Sequence, residues 1–340
     1  MIKRLLLLVV GLVLLGVAGS SWWVFSSVGV SATTTSPTDF TVNKGEGVRT
    51  VAQRLFDAHL ISSRQSWTLF VVLTGQRGSI LPGTYTLPAG ASGKTIISVI
   101  SAGPQNENEV KVTIPEGLKA TEIATLLEKA NVVSAQDFLN VVQHPSGSGL
   151  DLTAFAIASQ KPATVDLEGY LFPDTYRFFK NSTAIEVVKK FLANLDLRYT
   201  ADLRQAGTLG GHTPHEILTM ASILEKEVRP ADQAKAADVF WKRIAAGMPL
   251  QSNVTILYAM GLAEDHLSIA DTKFESPYNT YLHTGLPPGP ISNPGMIAIK
   301  AALFPEANPY YYFLADPVTG QTYFAATLAE HNANKAKYLK

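Results

Sequence analysis

Apolar and polar residues follow three patterns along this chain, and each predicts a different kind of structure. A predominantly apolar run without a charged residue extends from Leu5 to Val24; its roughly 20 residues would span one bilayer core as a helix. A polar stretch without periodicity follows at residues 31–39. From residue 40 onward, short strand-like runs are mixed with stretches in which apolar residues recur every three or four positions. We therefore expect a membrane helix, a linker and then a mixed α+β fold.

The residues that flank the apolar run predict how it lies in the membrane. Lys3-Arg4 precedes the run, so the positive-inside rule places the N-terminus in the cytoplasm and the bulk of the chain outside it. Trp22-Trp23 lies where aromatic residues concentrate at a membrane interface. Residues 1–27 are thus expected to form a cytoplasmic tip and a retained single-pass anchor. The alternative is a signal peptide that is cleaved near Ala32.

Two downstream segments, residues 40–71 and 111–142, share one pattern. Each opens with a strand-like run, passes through a Glu-Gly turn and continues with helical periodicity. Each then reaches a serine, Ser62 or Ser134, that suits the N-cap of a second helix. In the first copy the chain returns as a strand at residues 83–87. The pattern predicts a β-α-α-β unit.

The spacing of these units resembles a LysM domain, the small module that binds the glycan of bacterial cell walls. We divide the chain accordingly into a linker at 28–38, a LysM-like domain at 39–103 and a larger α+β domain at 104–340. This larger domain includes a second LysM-like repeat near 109–143. A membrane-proximal spacer that binds no ligand is the alternative interpretation of the repeats.

Capping signals predict the helices of the larger domain. Thr213 and Glu216 form a capping box at the start of a central helix. Asn293 and Pro294 are expected at the N-cap and first position of a helix that ends near Leu303. Further predicted elements are a helix over residues 183–198, a β-hairpin over 310–325 and a closing helix with a capping box at Thr327 and Glu330.

The central helix ends in the sequence MASILEKEVRP, residues 220–230, which contains two glutamates. On a helical wheel Glu225 and Glu227 fall on the two margins of the apolar stripe, and Lys226 falls opposite it. A carboxyl group against apolar neighbours loses hydration, which raises its pKa and suits a general acid. Two solvated glutamates at a helix end are the simpler alternative. Periodicity does not distinguish between the two residues.

Composition excludes several classes of function. The chain has 28 basic and 28 acidic residues and no net charge, so nucleic-acid binding is not expected. It has no cysteine, which excludes disulfides, thiolate-bound zinc and a thiol nucleophile. His212 and His215 flank a helix start where the two rings need not converge, and we expect no metal site there.

Four long motifs resemble, in the same order, those of the endolytic murein transglycosylases, the YceG-like family. They are LEGYLFPDTYRF at 167–178, MASILEKE at 220–227 with its continuation at 235–261, YNTYLHTGLPPGPISNPG at 278–295, and YYYFLADPVTGQTYFAATLAEHN at 310–332. The family's membrane anchor and LysM-like region also have counterparts here. One departure is the sequence Ser252-Asn253-Val254-Thr255, where the family usually has Ser-Asp-Pro-Thr.

The resemblance implies a lytic transglycosylase that cuts the β-1,4 bond between N-acetylmuramic acid and N-acetylglucosamine in nascent peptidoglycan strands. The products would carry 1,6-anhydro ends, and strand length would be limited. The resemblance also implies a periplasmic catalytic domain on the inner membrane, no metal or cofactor, and peptidoglycan synthases as partners. Glu227 would be the catalytic acid/base, and Glu225 would support it.

Sugar binding requires flat apolar faces and planar hydrogen-bonding groups, which gives a set of candidate substrate contacts. The candidates are Glu168, Tyr170, Glu225, Gln251, Ser252, Tyr278, Asn279, Thr280, Tyr281 and Asn293. Ordinary packing is the alternative for each tyrosine, and helix capping for Asn293. Two alternative functions stay open: a non-catalytic scaffold that binds peptidoglycan, and a water-using muramidase with a second carboxylate.

Overall fold

The computed structural model describes residues 36–104, 108–262, 267–316 and 318–338. The expected anchor at residues 1–27 and its cleavage alternative lie outside these residues. In the part of the chain that is described, no helix combines the length and the apolar character needed to cross a bilayer. These residues form a mixed α+β fold with twelve α-helices and three two-stranded sheets. The chain divides into two compact units, Met1–Glu107 and Asn108–Lys340.

The first unit contains the strand–helix–helix–strand order that the sequence pattern predicts. Its elements are β1 (Thr38–Val42), α1 (Val48–Asp57), α2 (Arg64–Leu73), β2 (Gly83–Leu87) and α3 (Gly93–Ser101). β1 and β2 pair antiparallel, and the sheet and helices enclose one core. In that core the buried indole of Trp67 donates to the Gly93 carbonyl at 2.9 Å. The LysM-like identity of this unit stays a prediction.

The second unit opens with a related arrangement. Its first elements are β3 (Glu109–Thr113), α4 (Ala120–Lys129), α5 (Ala135–Gln143) and β4 (Thr175–Phe179). β3 and β4 pair antiparallel, with Val112 opposite Tyr176. The connection from α5 to β4 covers residues 144–174 and consists of loops and short 3₁₀ turns. The inward side chains of this repeat join the main core of the unit.

The first helix of each repeat ends in the same left-handed turn. His59 and Asn131 both have φ of 56°, and the N–H that follows each donates to a carbonyl five residues earlier at 2.9 Å. The N-cap prediction for Ser134 is confirmed, because its hydroxyl accepts from the N–H of Asp137. The prediction for Ser62 is wrong by one residue: Ser63 caps α2 instead.

The remaining elements of the second unit surround one central helix. They are α6 (Ala184–Arg198), α7 (Ala201–Leu209), α8 (Pro214–Glu227), α9 (Gln233–Ala245), α10 (Asn253–Met260), α11 (Met296–Leu303), β5 (Tyr312–Ala315), β6 (Thr322–Ala325) and α12 (Leu328–Tyr338). α8 packs against α7, α9, α10 and α11, and residues 217–224 of α8 are buried without a break. The predicted helix at 183–198 and the hairpin at 310–325 are confirmed.

Of the three caps predicted after residue 200, two are present. Thr213 and Glu216 form a reciprocal capping box on α8. Glu330 accepts from the N–H of Thr327, whose hydroxyl accepts in return from the N–H of Glu330. The cap predicted at Asn293 is wrong: α11 begins at Met296 after an N-cap at Gly295. The Asn293 side chain instead forms buried hydrogen bonds with Glu168 and with the backbone of Leu118 and Leu171.

Candidate active site

Glu227 is the last residue of α8, and the chain turns into extended backbone at Val228. The residue is partly exposed and lies in the wall of a cavity. Protein packed around its carboxyl group raises the pKa of Glu227 above its usual value. A helix C-terminus also carries partial negative charge, which disfavours a carboxylate there. Both effects favour the protonated acid.

The cavity has a volume of about 710 Å³ and lies entirely within the second unit. Its wall combines apolar groups with polar and charged ones. The lining residues are Glu227, Phe240, Arg243, Leu250, Gln251, Asn253, Leu267, Ser268, Ile269, Thr272, Tyr281, Phe313, Leu314, Ala315, His331 and Lys335. Among the described residues that line it, Glu227 is the one carboxyl group. The size is that of a small-molecule or sugar site.

Ser252 holds the carboxyl group of Glu227 in place. Its buried hydroxyl donates to Oε1 of Glu227 through a short hydrogen bond. Backbone and side-chain contacts from Thr280 fix this serine: the Ser252 N–H donates to Thr280 Oγ1, and the Gln251 N–H donates to the Thr280 carbonyl, both at 3.0 Å. Gln251 itself has φ of 53°, an uncommon value for a residue with a side chain. The loop thus orients the hydroxyl toward the acid.

Tyr281 and Asn253 form a second polar contact in the cavity wall. The Tyr281 hydroxyl donates to Oδ1 of Asn253 at 2.7 Å. Burial, followed by the nearby charge of Glu227, raises the pKa of Tyr281. Asn279 supports this position from within the loop, since its Oδ1 accepts from the Tyr281 N–H at 2.9 Å. An aromatic ring and an amide beside the acid match the groups that a sugar site requires.

Three basic residues of the cavity were not among the sequence candidates. Arg243 extends from α9, and His331 and Lys335 extend from α12. Arg243 and His331 lie within motifs that carry the family resemblance, but their charge alone does not indicate where they point. The packing of α12 beside β5 and β6 brings His331 and Lys335 to the cavity that Arg243 reaches from α9.

Glu225 faces a different environment. Its carboxylate accepts from the Gly295 N–H at 3.1 Å, which satisfies a backbone donor at the start of α11. Burial chiefly raises the pKa of Glu225, and the negative charge of Glu116 adds to the effect. A β-carbon at Gly117 would lie 3.4 Å from the Glu225 side chain. Glu225 does not line the 710 Å³ cavity.

Glu168 and Asn293 form a buried polar network away from the cavity. Both Glu168 oxygens accept from the Ala120 N–H at 3.0 Å, and Oε1 also accepts from Asn293 Nδ2 at 2.6 Å. Asn293 completes its set with a donation to the Leu118 carbonyl and an acceptance from the Leu171 N–H, both at 2.9 Å. Burial raises the pKa of Glu168 to about 8. These contacts tie three loops together.

The turn that carries Glu168 is packed too tightly for any residue other than glycine at its next position. Gly169 has φ of +83°, and a β-carbon there would lie 2.3 Å from Pro290. The loop at 285–295 therefore sits directly on the Glu168 turn. This contact helps to enclose the Glu168 turn, and the burial raises the pKa of the Glu168 carboxyl group.

Two tyrosine candidates have structural partners outside the cavity. The buried Tyr170 hydroxyl pairs with Nδ1 of His215 at 2.9 Å. Tyr278 packs against Tyr258 with ring centroids 5.1 Å apart, and burial raises its pKa to about 12.

The structure thus separates the candidates into two groups. Those at the cavity or directly supporting it are Glu227, Gln251, Ser252, Asn279, Thr280 and Tyr281. Those held elsewhere are Glu168, Tyr170, Glu225, Tyr278 and Asn293. As substrate contacts, all of them stay predictions. In the described part of the chain no group of three or more His, Asp or Glu residues is placed to hold a metal ion.

Comparisons with known proteins agree on one family. The model of the YceG-like family matches residues 40–337. A protein of Bacillus subtilis named endolytic murein transglycosylase is 34% identical over 308 residues, which cover 88% of this chain and 84% of that protein. A protein of the same name from Streptococcus pneumoniae is 31% identical over 281 residues; the match covers 76% of this chain but only 50% of the relative.

A solved structure gives the same result. The crystal structure of a yceG-like protein from Listeria monocytogenes matches with a TM-score of 0.60 and 31% identity, over 87% of this chain and 98% of that one. The similarity therefore extends through both units of the chain and beyond the motifs that line the cavity. The chain belongs to the YceG-like family.

Proposed function

We propose that this protein is an endolytic murein transglycosylase and that Glu227 is its catalytic acid/base. The observation that carries the proposal is the environment of Glu227. Its carboxyl group has a raised pKa, lies in the wall of a 710 Å³ cavity and accepts a hydrogen bond from the Ser252 hydroxyl. Relatives named endolytic murein transglycosylase, one of them aligned over most of both chains, support the same activity.

The proposed reaction needs one carboxyl group used twice. Protonated Glu227 donates its proton to the glycosidic oxygen between N-acetylmuramic acid and N-acetylglucosamine as the bond to C1 breaks. The resulting carboxylate then removes the proton from the muramyl C6 hydroxyl. The C6 oxygen bonds to C1 and closes a 1,6-anhydro ring. Because nucleophile and electrophile belong to one sugar, the step has the advantage of an intramolecular reaction.

Residues around Glu227 fit the two stages of this cycle. Ser252 donates to the carboxyl oxygen, which favours the ionised form and lowers the pKa that burial raises. Burial has the larger effect, so the pKa of Glu227 stays above its usual value, which favours the protonated form that begins the cycle. Tyr281 and Asn253 offer a ring face and an amide for the adjacent sugar.

The cavity gives less support to a water-using muramidase. Such an enzyme pairs the acid with a second carboxylate that activates water or acts as nucleophile. Among the described residues that line the cavity, no other carboxyl group occurs beside Glu227. Asn253 occupies the position at which the usual family motif has an aspartate. A non-catalytic scaffold would have no need for a carboxyl group of raised pKa in a cavity wall.

Analysis of the cleavage products tests the proposal. The purified full-length protein would be incubated with uncross-linked murein strands, and the fragment ends identified by mass spectrometry. We expect internal cleavage with 1,6-anhydromuramyl ends, which are lighter than reducing ends by one water. Reducing ends would indicate the hydrolase, and intact strands would indicate the scaffold.

We propose further that residues 1–27 anchor the protein in the inner membrane, with the catalytic unit in the periplasm. The basic pair Lys3-Arg4, the long apolar run and Trp22-Trp23 support this arrangement. N-terminal sequencing of membrane-extracted protein would test it, because a start near Thr33 would indicate a cleaved signal. Glycan binding by the LysM-like repeats and association with peptidoglycan synthases belong to the same proposal.

A further inference from the structure

A group of basic side chains shares the cavity with Glu227. Arg243 from α9 and the pair His331 and Lys335 from α12 all line it. We call these three residues the basic wall. The proposed acid chemistry uses none of them, so their presence in the cavity requires a separate explanation.

Arg243 is a buried cation without a carboxylate partner among the described residues. The residue is only 6% exposed. Its Nε donates to the Tyr311 carbonyl and its Nη1 to the Leu250 carbonyl, each at 2.7 Å. These neutral acceptors satisfy part of the guanidinium but leave its charge uncompensated, which is costly in a buried position. Such a group facing a cavity attracts an anion into it.

His331 and Lys335 extend this basic region of the cavity wall. The His331 ring stacks on Tyr312 at 5.5 Å, the same ring over which the Arg243 guanidinium lies at 4.9 Å. Nδ1 of His331 is buried and has no hydrogen-bond partner among the residues that the structure describes. Burial, followed by the positive charges of Lys335 and Arg243, lowers the pKa of His331. The three side chains therefore lie within electrostatic reach of one another.

The charge of the described cavity wall is positive at neutral pH. Arg243 and Lys335 are two cations, whereas Glu227, the one carboxyl group of the described lining, is in an environment that favours its neutral form. Murein strands carry carboxylates close to the glycosidic bond. These are the carboxylates of the stem peptide or, where the peptide has been removed, the free lactyl carboxylate of the muramyl residue.

We propose that the basic wall is a carboxylate-binding subsite, which holds an acidic group of the murein strand beside the bond that is cleaved. The inference rests on the proposed function, because it assumes that the cavity binds a murein strand. Its consequence is a preference for acidic glycan over neutral glycan of the same length. Arg243 supplies a fixed buried charge, while His331 and Lys335 supply donors from a separate element.

The test compares a double variant of α12 with a single-substitution control on the same helix. In the first, His331→Gln and Lys335→Gln remove the α12 part of the basic wall. In the matched control, Lys337→Gln removes one positive charge from the same helix outside the cavity lining, and His331 and Lys335 are left intact. Arg243 is not substituted first, because its hydrogen bonds also hold the 249–250 loop. Each change is made in full-length protein that also carries Glu227→Gln, so that ligands are not cleaved.

Calorimetry would measure the binding of three soluble probes: peptide-bearing murein oligosaccharide, the same oligosaccharide without peptide, and neutral N-acetylglucosamine oligomer. We expect the His331/Lys335 variant to bind at least one acidic probe about five- to tenfold more weakly. Binding of the neutral probe should not change. The acidic probe that is affected identifies the source of the carboxylate. Equal loss for all three probes, or no loss for either acidic one, would overturn the proposal.

A second measurement separates this inference from the function on which it rests. In NMR titrations the imidazole signal of His331, assigned through the His331→Gln variant, should show a higher pKa when an acidic probe is bound, since an anion offsets the neighbouring cations. An unchanged pKa would count against the subsite. Product analysis is independent of both: an enzyme that forms anhydro ends but shows no preference for acidic probes would retain its proposed function and lose the subsite.

Discussion

The two sides of the end of α8 use the same residue type for different purposes. On one side Glu227 faces a cavity and accepts a hydrogen bond from a serine hydroxyl. On the other side Glu225 accepts from a backbone N–H at the start of α11, next to the buried Glu168–Asn293 network. Burial raises the pKa of all three carboxyl groups. A raised pKa therefore does not identify the catalytic acid in this protein.

The two sides differ in whether the carboxyl group is accessible from the cavity and in how many of its hydrogen-bonding positions are already occupied. Glu168 and Asn293 are enclosed, and each makes contacts that join loops. Glu227 remains open to the cavity, and the described residues give its carboxyl group only the hydrogen bond from Ser252. We infer that the network side stabilises the fold and that the cavity side carries the chemistry. Four predictions test this division, from the largest expected effect to the smallest.

The first prediction concerns the acid itself. Glu227→Gln keeps the size of the side chain but removes the titrating proton, so cleavage should fall at least about a hundredfold. The melting temperature should change little. Release of anhydromuramyl fragments and thermal unfolding by circular dichroism measure the two effects. Glu225→Gln is the matched control and should cost much less activity; the reverse ranking would transfer the catalytic role to Glu225.

The second prediction concerns the network side. Asn293→Ala leaves Glu168 and the Leu171 N–H without their buried partner. The free energy of unfolding should fall by about 2 to 4 kcal/mol. Denaturant titration measures this loss, and activity per folded molecule at low temperature should be retained. A variant of native stability that has lost cleavage would place Asn293 in the substrate site instead.

The third prediction uses the pKa of Glu168, which burial raises from 4.5 to about 8. The folded protein then binds more protons than the unfolded chain between these values, so stability should decline as pH rises from about 4.5 to 8. Each unit of the shift corresponds to about 1.4 kcal/mol. Glu168→Gln mimics the neutral acid and should flatten this slope. An unchanged slope in denaturant titrations at several pH values would contradict the assignment.

The fourth prediction concerns the hydroxyl that contacts the acid. Ser252 lowers the pKa of Glu227 against the larger effect of burial. In Ser252→Ala the pKa should therefore rise, and the alkaline limb of the activity profile should move to higher pH. The limb reflects deprotonation of Glu227 in the free enzyme, above its usual value of 4.5. Initial rates across pH, with a folding signal at each point, measure the shift; movement to lower pH would refute it.

Comparison of the two β-α-α-β repeats shows which features of the fold the local sequence predicts and which it does not. The turn after the first helix is the same in both, at His59 and Asn131, because it depends on backbone geometry within a few residues. The second repeat nevertheless joins the main core of its unit, and its Glu-Gly turn faces Glu225 and α11. The repeat pattern predicts the elements of both copies but not this difference in their surroundings.

The sequence by itself determined the features that arise from neighbouring residues. The capping boxes at Thr213 and Thr327, the hairpin at 310–325 and the margins occupied by Glu225 and Glu227 follow from spacing and side-chain chemistry. Four ordered motifs also pointed to the family that the comparisons show.

Only the tertiary structure decided which margin of α8 faces a cavity and which faces a packed loop. It also removed Asn293 from its expected cap and brought Arg243 and His331 together from separate elements. These outcomes depend on contacts between residues far apart in the chain. Helical periodicity defines the faces of a helix, but the partner of each face depends on how the whole core packs.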